Sequence, residues 1–151
     1  MKSLASSFVV FLFKLFSLFS LSSLRLLGRA MGRMAWWLNG DSRRVIEENL
    51  ALCFPEKSAG EREQLTQSRL QHLGMMAFEL AFVWQRPAEQ VLAKIIAIEG
   101  DELVREPLAN GQGVIVLAPH IGNWEVLGFY LADQFTVTNM YQPPPTLLWT
   151  K

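Results

Sequence analysis

The chain has 151 residues, half of them hydrophobic, and its 14 Lys and Arg balance 14 Asp and Glu. That length leaves room for one domain or part of a larger one. The single Cys53 excludes an internal disulfide, no Cys/His cluster has metal-ligand spacing, and no nucleic-acid partner, metal or cofactor is expected. The zero net charge hides an asymmetry: residues 1–44 hold seven Lys and Arg against Asp41 alone, and the remainder is mildly acidic. A basic, apolar beginning joined to an acidic body predicts a membrane-facing end.

From Leu4 to Leu27 the chain is dominated by Phe, Leu and Val, a run long enough for a hydrocarbon core that needs roughly 20 residues. Lys14 interrupts it near the centre. At helical spacing Ser3, Ser7, Lys14, Ser17 and Arg25 share one side. Three readings fit: a single spanning anchor, a helix lying in the interface, or a cleaved signal peptide. The last is opposed by Lys14 and by the lack of an A-x-A-like site before Arg25. Arg25, Arg29, Arg33, Arg43 and Arg44 follow the run, which by the positive-inside rule puts the body in the cytoplasm. The same arginines suit anionic lipid headgroups or an acidic protein partner. Trp36-Trp37 suits either the headgroup level or a core.

Asn39-Gly40-Asp41-Ser42 predicts a turn whose Asp or Ser caps a helix stopping at Pro55. Cys53 sits where a buried apolar residue is expected. Ser58-x-x-Glu61 reads as a capping box opening a long helix to about Trp84, with Leu65, Leu73, Met76, Leu80 and Val83 among its apolar positions. His72 on that helix has no titratable partner at helical spacing and reads as a surface or core residue. Pro87 suits another helix start.

Beyond Pro87 the period changes. Lys94–Glu99, Val114–Ala118 and Gln134–Asn139 read as strands, and Asp101–Ala109 and Asn123–Ala132 as helices. Alternation of this kind predicts an α/β fold with a largely parallel sheet. Val114-Ile-Val-Leu-Ala-Pro-His-Ile-Gly-Asn-Trp-Glu125 then places two titratable groups, His120 and Glu125, at a strand's carboxyl end, where open α/β sheets bind ligands. They converge only if His120 lies on the loop and Glu125 in the first helical turn, with Gly122 supplying the turn's freedom. A His/Glu acid–base pair is one reading. A solvated turn, with Asn123 as N-cap and Glu125 favoured by the helix dipole, is the other.

Two segments, Arg44-Val-Ile-Glu-Glu-Asn-Leu-Ala-Leu-Cys-Phe-Pro-Glu56 and Gly111-x-Gly-Val-Ile-Val-Leu-Ala-Pro-His-Ile-Gly-Asn-Trp-Glu125, resemble the bacterial lipid A biosynthesis late acyltransferases of the lauroyl/myristoyl type. The resemblance implies a glycerol-3-phosphate acyltransferase-like domain with only part of its parallel sheet. Residues 1–30 would be a membrane-anchor helix and 31–151 the N-terminal part of the acyltransferase domain. It implies transfer of a fatty acyl chain from acyl carrier protein to a hydroxyl of a lipid A precursor, at the cytoplasmic face of the bacterial inner membrane and among membrane lipids. His120 would be the general base, Glu125 its partner, and Gly122, Asn123 and Trp124 substrate-binding. Members of such a family are expected to be about twice this length, and Tyr141-Gln-Pro-Pro resembles a Tyr-Arg-Pro-Pro stretch with Gln142 in place of the basic residue. A membrane-bound pseudoenzyme, or an acyltransferase for another glycolipid, are the alternatives.

Overall fold

A computed structural model describes residues 4–140, with side chains from residue 7 onward. The Tyr141-Gln-Pro-Pro stretch lies outside the described residues. The chain divides into two compact units, one up to Gln85 and the other from Arg86.

The first unit is a helical assembly of α1 (Leu4–Phe16), α2 (Leu21–Leu38), α3 (Asp41–Cys53) and α4 (Ala59–Gln85). The expected single anchor over Leu4–Leu27 is broken in two, and no helix among the described residues is long and apolar enough to cross a membrane. Serine is the physical reason. Ser17 Oγ donates to the Lys14 carbonyl at 2.8 Å as α1 ends. Ser20 Oγ then accepts from the Ser23 N–H at 3.1 Å, capping a new helix. The single-pass transmembrane expectation is therefore corrected to two short helices.

α4 begins as its sequence predicts. The Ser58 N–H and hydroxyl both donate to the Glu61 carboxylate, at 2.8 and 2.7 Å, and the Glu61 N–H returns a bond to Ser58 Oγ at 3.3 Å. These hydrogen bonds from Ser58 hold the Glu61 carboxyl below its ordinary pKa. α3 instead starts after Gly40, which offers no side-chain cap, so neither Asp41 nor Ser42 takes that role. Asn39 ends α2 in the left-handed conformation, and its N–H donates to the Trp36 carbonyl. Arg43 fastens the α2–α3 corner: its guanidinium stacks 3.5 Å from the Trp36 ring centroid, donates to the Trp36 carbonyl, and pairs with Glu47 at 2.7 Å.

The core of this unit is the antiparallel crossing of α2 and α4. Leu24, Gly28 and Gly32 are buried on α2, and Thr66, Leu70 and Gly74 on α4. The backbones meet directly. A Cβ on Gly28 would lie 2.4 Å from the Met75 Cα, and one on Gly74 only 2.2 Å from the Gly28 carbonyl oxygen. At one end Arg25 pairs with the nearly buried Glu79 at 2.6 Å. α1 joins α4 through aromatic contacts, Phe13 stacked on Trp84 at 5.6 Å and Phe16 edge-on to Phe78 at 4.8 Å. Cys53 is exposed rather than buried, at the last turn of a helix with no buried residue. His72 is an exposed helix-surface residue.

The second unit contains α5 (Ala88–Leu92), α6 (Glu102–Ala109) and α7 (Trp124–Gln134). The expected α/β fold with a parallel sheet is overturned: the described residues contain helices and no strand. Lys94–Glu99 and Val114–Ala118 run between helices and Gln134–Asn139 leaves the end of α7, none of them as a strand, and apart from the half-buried Ile95, Val114 and Phe135 their large apolar side chains are exposed. Ile96 is fully exposed, Ile115 91% and Leu117 86%. β-branched periodicity reports a local preference, whereas a strand exists only where a neighbour supplies its ladder of hydrogen bonds.

Candidate active site

The site predicted from sequence lies in the second unit, where the chain leaves Val114–Pro119 and enters α7. The Ile121 N–H donates to the Pro119 carbonyl at 2.7 Å, closing a three-residue turn centred on His120. Gly122 follows with φ of 60°. That is the left-handed region, which an L side chain enters only at a cost of roughly 1–2 kcal/mol, so the need for glycine here is conformational. Asn123 sits at the N-cap position, and Trp124 and Glu125 form the start of α7. His120 thus lies on the loop and Glu125 in the first helical turn.

His120 is exposed, and Trp124 and Glu125 are half-buried. The structure brings His120 onto Trp124, ring centroids 4.3 Å apart and planes at 73°, an edge-to-face contact. The indole restricts the imidazole's rotation and leaves the ring exposed to solvent. The first N–H groups of α7 lack intrahelical acceptors, as in any helix, and add a partial positive potential beside the imidazole.

A second cluster fixes α7, and the sequence reading did not find it. Tyr130 on α7 donates its hydroxyl to Asp101 at the head of α6, and Arg105 donates to the same carboxylate. Arg105 also donates to Gln134 at 2.8 Å and lies 4.9 Å from the Phe135 ring centroid. The hydrogen bonds from Tyr130 and then Arg105 hold the Asp101 carboxyl below its ordinary pKa. Donation to that carboxylate raises the Tyr130 phenol, and the same carboxylate raises Arg105. The legible signals were the four-residue spacings Asp101–Arg105 and Tyr130–Gln134, each a one-turn pair. What no spacing reveals is that the two pairs meet across α6 and α7. Among the described residues no group of His, Cys, Asp and Glu could hold a metal ion.

Comparison with known proteins locates these residues in a family. A family model described as bacterial lipid A biosynthesis acyltransferase matches residues 2–149. The chain is 35% identical over 106 residues to the lipid A biosynthesis palmitoleoyltransferase of Escherichia coli (strain K12), covering 70% of this chain and 34% of that protein. It is 38% identical over 108 residues to the lipid A biosynthesis myristoyltransferase of the same organism, covering 69% and 32%. It is 26% identical over 117 residues to the lauroyltransferase, covering 78% and 38%. The aligned residues cover only about a third of each of these curated relatives, which are about twice the length of this chain, as its sequence led us to expect. No solved structure matches it.

Proposed function

The chain belongs to the bacterial lipid A biosynthesis acyltransferases, and on that membership we propose that it carries the acid–base residues of an acyl transfer to a lipid A precursor. The observation that carries the proposal is the turn itself. Within the matched residues, Gly122 in the left-handed conformation lifts His120 out of the chain at the head of α7, against Trp124. Residues 1–30 would serve as the membrane attachment and 31–151 as the first part of the acyltransferase domain.

The proposed reaction is attack of an acceptor hydroxyl on a thioester carried by acyl carrier protein. His120 takes the hydroxyl proton as the C–O bond forms. The C–S bond then breaks, and the proton passes to the departing thiolate. Imidazole suits the task because its unperturbed pKa lies near neutrality. Glu125, one helical turn-start away, would stabilise the imidazolium that develops. Trp124 would hold the ring's orientation, with Gly122 and Asn123 shaping the approach of substrate. The N–H groups opening α7 would face the charge that builds on the thioester oxygen. No serine or cysteine nucleophile and no cofactor enters this scheme.

The test is an acyl-transfer assay on inner-membrane preparations containing the full protein, supplied with acyl carrier protein thioesters and a lipid A precursor. His120→Ala is expected to lower turnover by about 10²–10⁴-fold, the usual worth of a general base. Undiminished turnover in that variant overturns the assignment.

A further inference from the structure

The cluster joining α6 to α7 has no task in the proposed reaction, yet it lies in the same unit as the turn that carries His120. Asp101, which opens α6, and Arg105 are one turn apart, and so are Tyr130 and Gln134 on α7. Asp101 accepts from the Tyr130 hydroxyl, and Arg105 donates to Gln134 at 2.8 Å, so the two pairs meet in the same order along both helices. Arg105 also donates to Asp101, which closes these side chains into a single clasp. Phe135 packs at its end, edge-on to Tyr130 with ring centroids 6.4 Å apart and 4.9 Å from the Arg105 guanidinium. Among the described residues the backbones of α6 and α7 make little direct contact, whereas α5 lies against α7. Long side chains, and not close helix packing, therefore set the distance and register of α7 against α6.

That register reaches the catalytic turn. Residues 110–123 connect the end of α6 to the start of α7, and His120 lies among them. Because the pairs match in the same order, the two helices advance in the same sense, and the connection has to run back from the end of α6 to the head of α7. Both of its ends thus belong to helices that the clasp joins. Its own packing is slight: Ile115, Leu117 and Ile121 are exposed by 91, 86 and 79%. Tyr130 stands six residues beyond Trp124 on α7, about 9 Å along the axis, and Trp124 holds the His120 ring. We propose that Asp101, Arg105 and Tyr130 are positioning residues for the acyl transfer. They hold α7, and through Trp124 the His120 imidazole, at the place from which it takes the acceptor proton. They touch neither substrate nor the reacting atoms, and the inference rests on the reading of His120 as the base. The leverage is large, because a misplacement of about 1 Å can cost about 10²-fold in rate.

The experiment takes Tyr130→Phe, Asp101→Ala and Asp101→Asn in the full protein through the acyl-transfer assay and through NMR. Tyr130→Phe leaves Arg105 bridging Asp101 and Gln134 and should lower kcat by about tenfold, whereas Asp101→Ala removes the shared acceptor and should lower it by about 10²-fold. KM should hold in both, because no group that meets substrate is altered. Asp101→Asn keeps an oxygen for the Tyr130 hydroxyl and should recover much of the loss. Each change is then repeated on His120→Ala. Residues that act through the imidazole should cost nothing further once it is gone. An equal loss in both backgrounds would mean general damage to the fold and would overturn the inference. NMR reads the position directly. The chain has two histidines, so isotope-labelled imidazoles in detergent micelles give two signals, with that of His120 identified by its loss in His120→Ala. The ring current of Trp124 marks it, and it should move in Tyr130→Phe and Asp101→Ala while the signal of His72, in the first unit, stays in place. An unmoved His120 signal, beside a His120→Ala variant that is impaired, overturns the clasp alone. Undiminished turnover in His120→Ala overturns the base assignment itself and leaves the clasp no reaction to serve, so the two failures are told apart.

Discussion

Adding one methyl group at Gly28 tests the architecture of the first unit most sharply. The new Cβ would lie 2.4 Å from the Met75 Cα and 2.6 Å from the Gly74 carbonyl oxygen. Both neighbours are backbone, so no side chain can rotate away, and α2 and α4 must separate by about 1 Å to restore ordinary carbon contact. Taken alone, Gly→Ala in a helix interior favours folding by about 1 kcal/mol. Over-packing costs about 1–3 kcal/mol and more where backbone must move, so Gly28→Ala should destabilise despite its better helix propensity. Gly60→Ala is the matched control, because a Cβ there meets nothing within 4 Å. It should be neutral or stabilising by at most about 1 kcal/mol. Thermal unfolding of the purified chain in detergent micelles, followed by circular dichroism, should place Gly28→Ala several degrees below wild type and Gly60→Ala at or above it. A Gly28→Ala midpoint equal to that of Gly60→Ala would refute the close helix crossing. Combining Gly28→Ala with Gly74→Ala should cost less than the sum, since helices already parted by one methyl admit the second.

Ser58→Ala removes the cap of α4 and should cost about 1 kcal/mol in the same unfolding measurement. Its pH dependence carries a sign. The folded pKa of Glu61 is depressed by Ser58, so the associated stability is present above the unfolded carboxyl value and lost as pH falls through the folded one. The acid limb of the stability profile should therefore flatten in Ser58→Ala, and an unchanged limb would count against the capping box. Tyr130→Phe should move the Asp101 titration, read by carboxyl NMR, upward towards its ordinary value, because the largest cause of its depression is lost while Arg105 remains. An unmoved titration would mean that the hydroxyl does not reach Asp101. Glu79→Ala leaves Arg25 without this carboxylate and should cost about 1–2 kcal/mol, below the figure for a fully buried pair because Arg25 is half exposed. A variant as stable as wild type in urea unfolding would show the pair to be idle.

Local signals were read well wherever the interaction they describe closes within a few residues. The capping box at Ser58–Glu61, the turn at Asn39 and the starts of α5, α6 and α7 are of that kind. The turn at Gly122 was legible for the same reason, since glycine's tolerance of positive φ is a property of one residue. Signals that depend on a distant partner were not resolved. Gly28-x-x-x-Gly32 stands in the sequence as two small residues on one helix face, but only the arrival of Gly74 from α4 turns it into a close crossing. Cys53 was expected inside because its neighbours are apolar, and the weak burial of α3 leaves it outside.

The three missing strands belong to the same class of error and show what a periodic pattern means physically. Val114–Ala118 carries the residues a buried strand would carry, yet Ile115 and Leu117 face solvent. Apolar, β-branched residues lower the cost of extending the backbone and reward its burial; they do not supply the adjacent N–H and C=O groups that a strand must find. The first unit offers the complementary case. α4 and α2 satisfy their backbones internally, as helices do, so their identity survives whichever neighbours they meet, and only their faces remain to be covered. That asymmetry is why α3, α4, α6 and α7 could be placed from sequence to within a residue or two, while the sheet could not. It also separates the two functional arguments. The turn that carries His120 needs only Gly122 and the start of α7, both local, so it stands without the sheet on which the sequence reading had set it. Its position against α6 rests on the clasp, whose partners come from different helices.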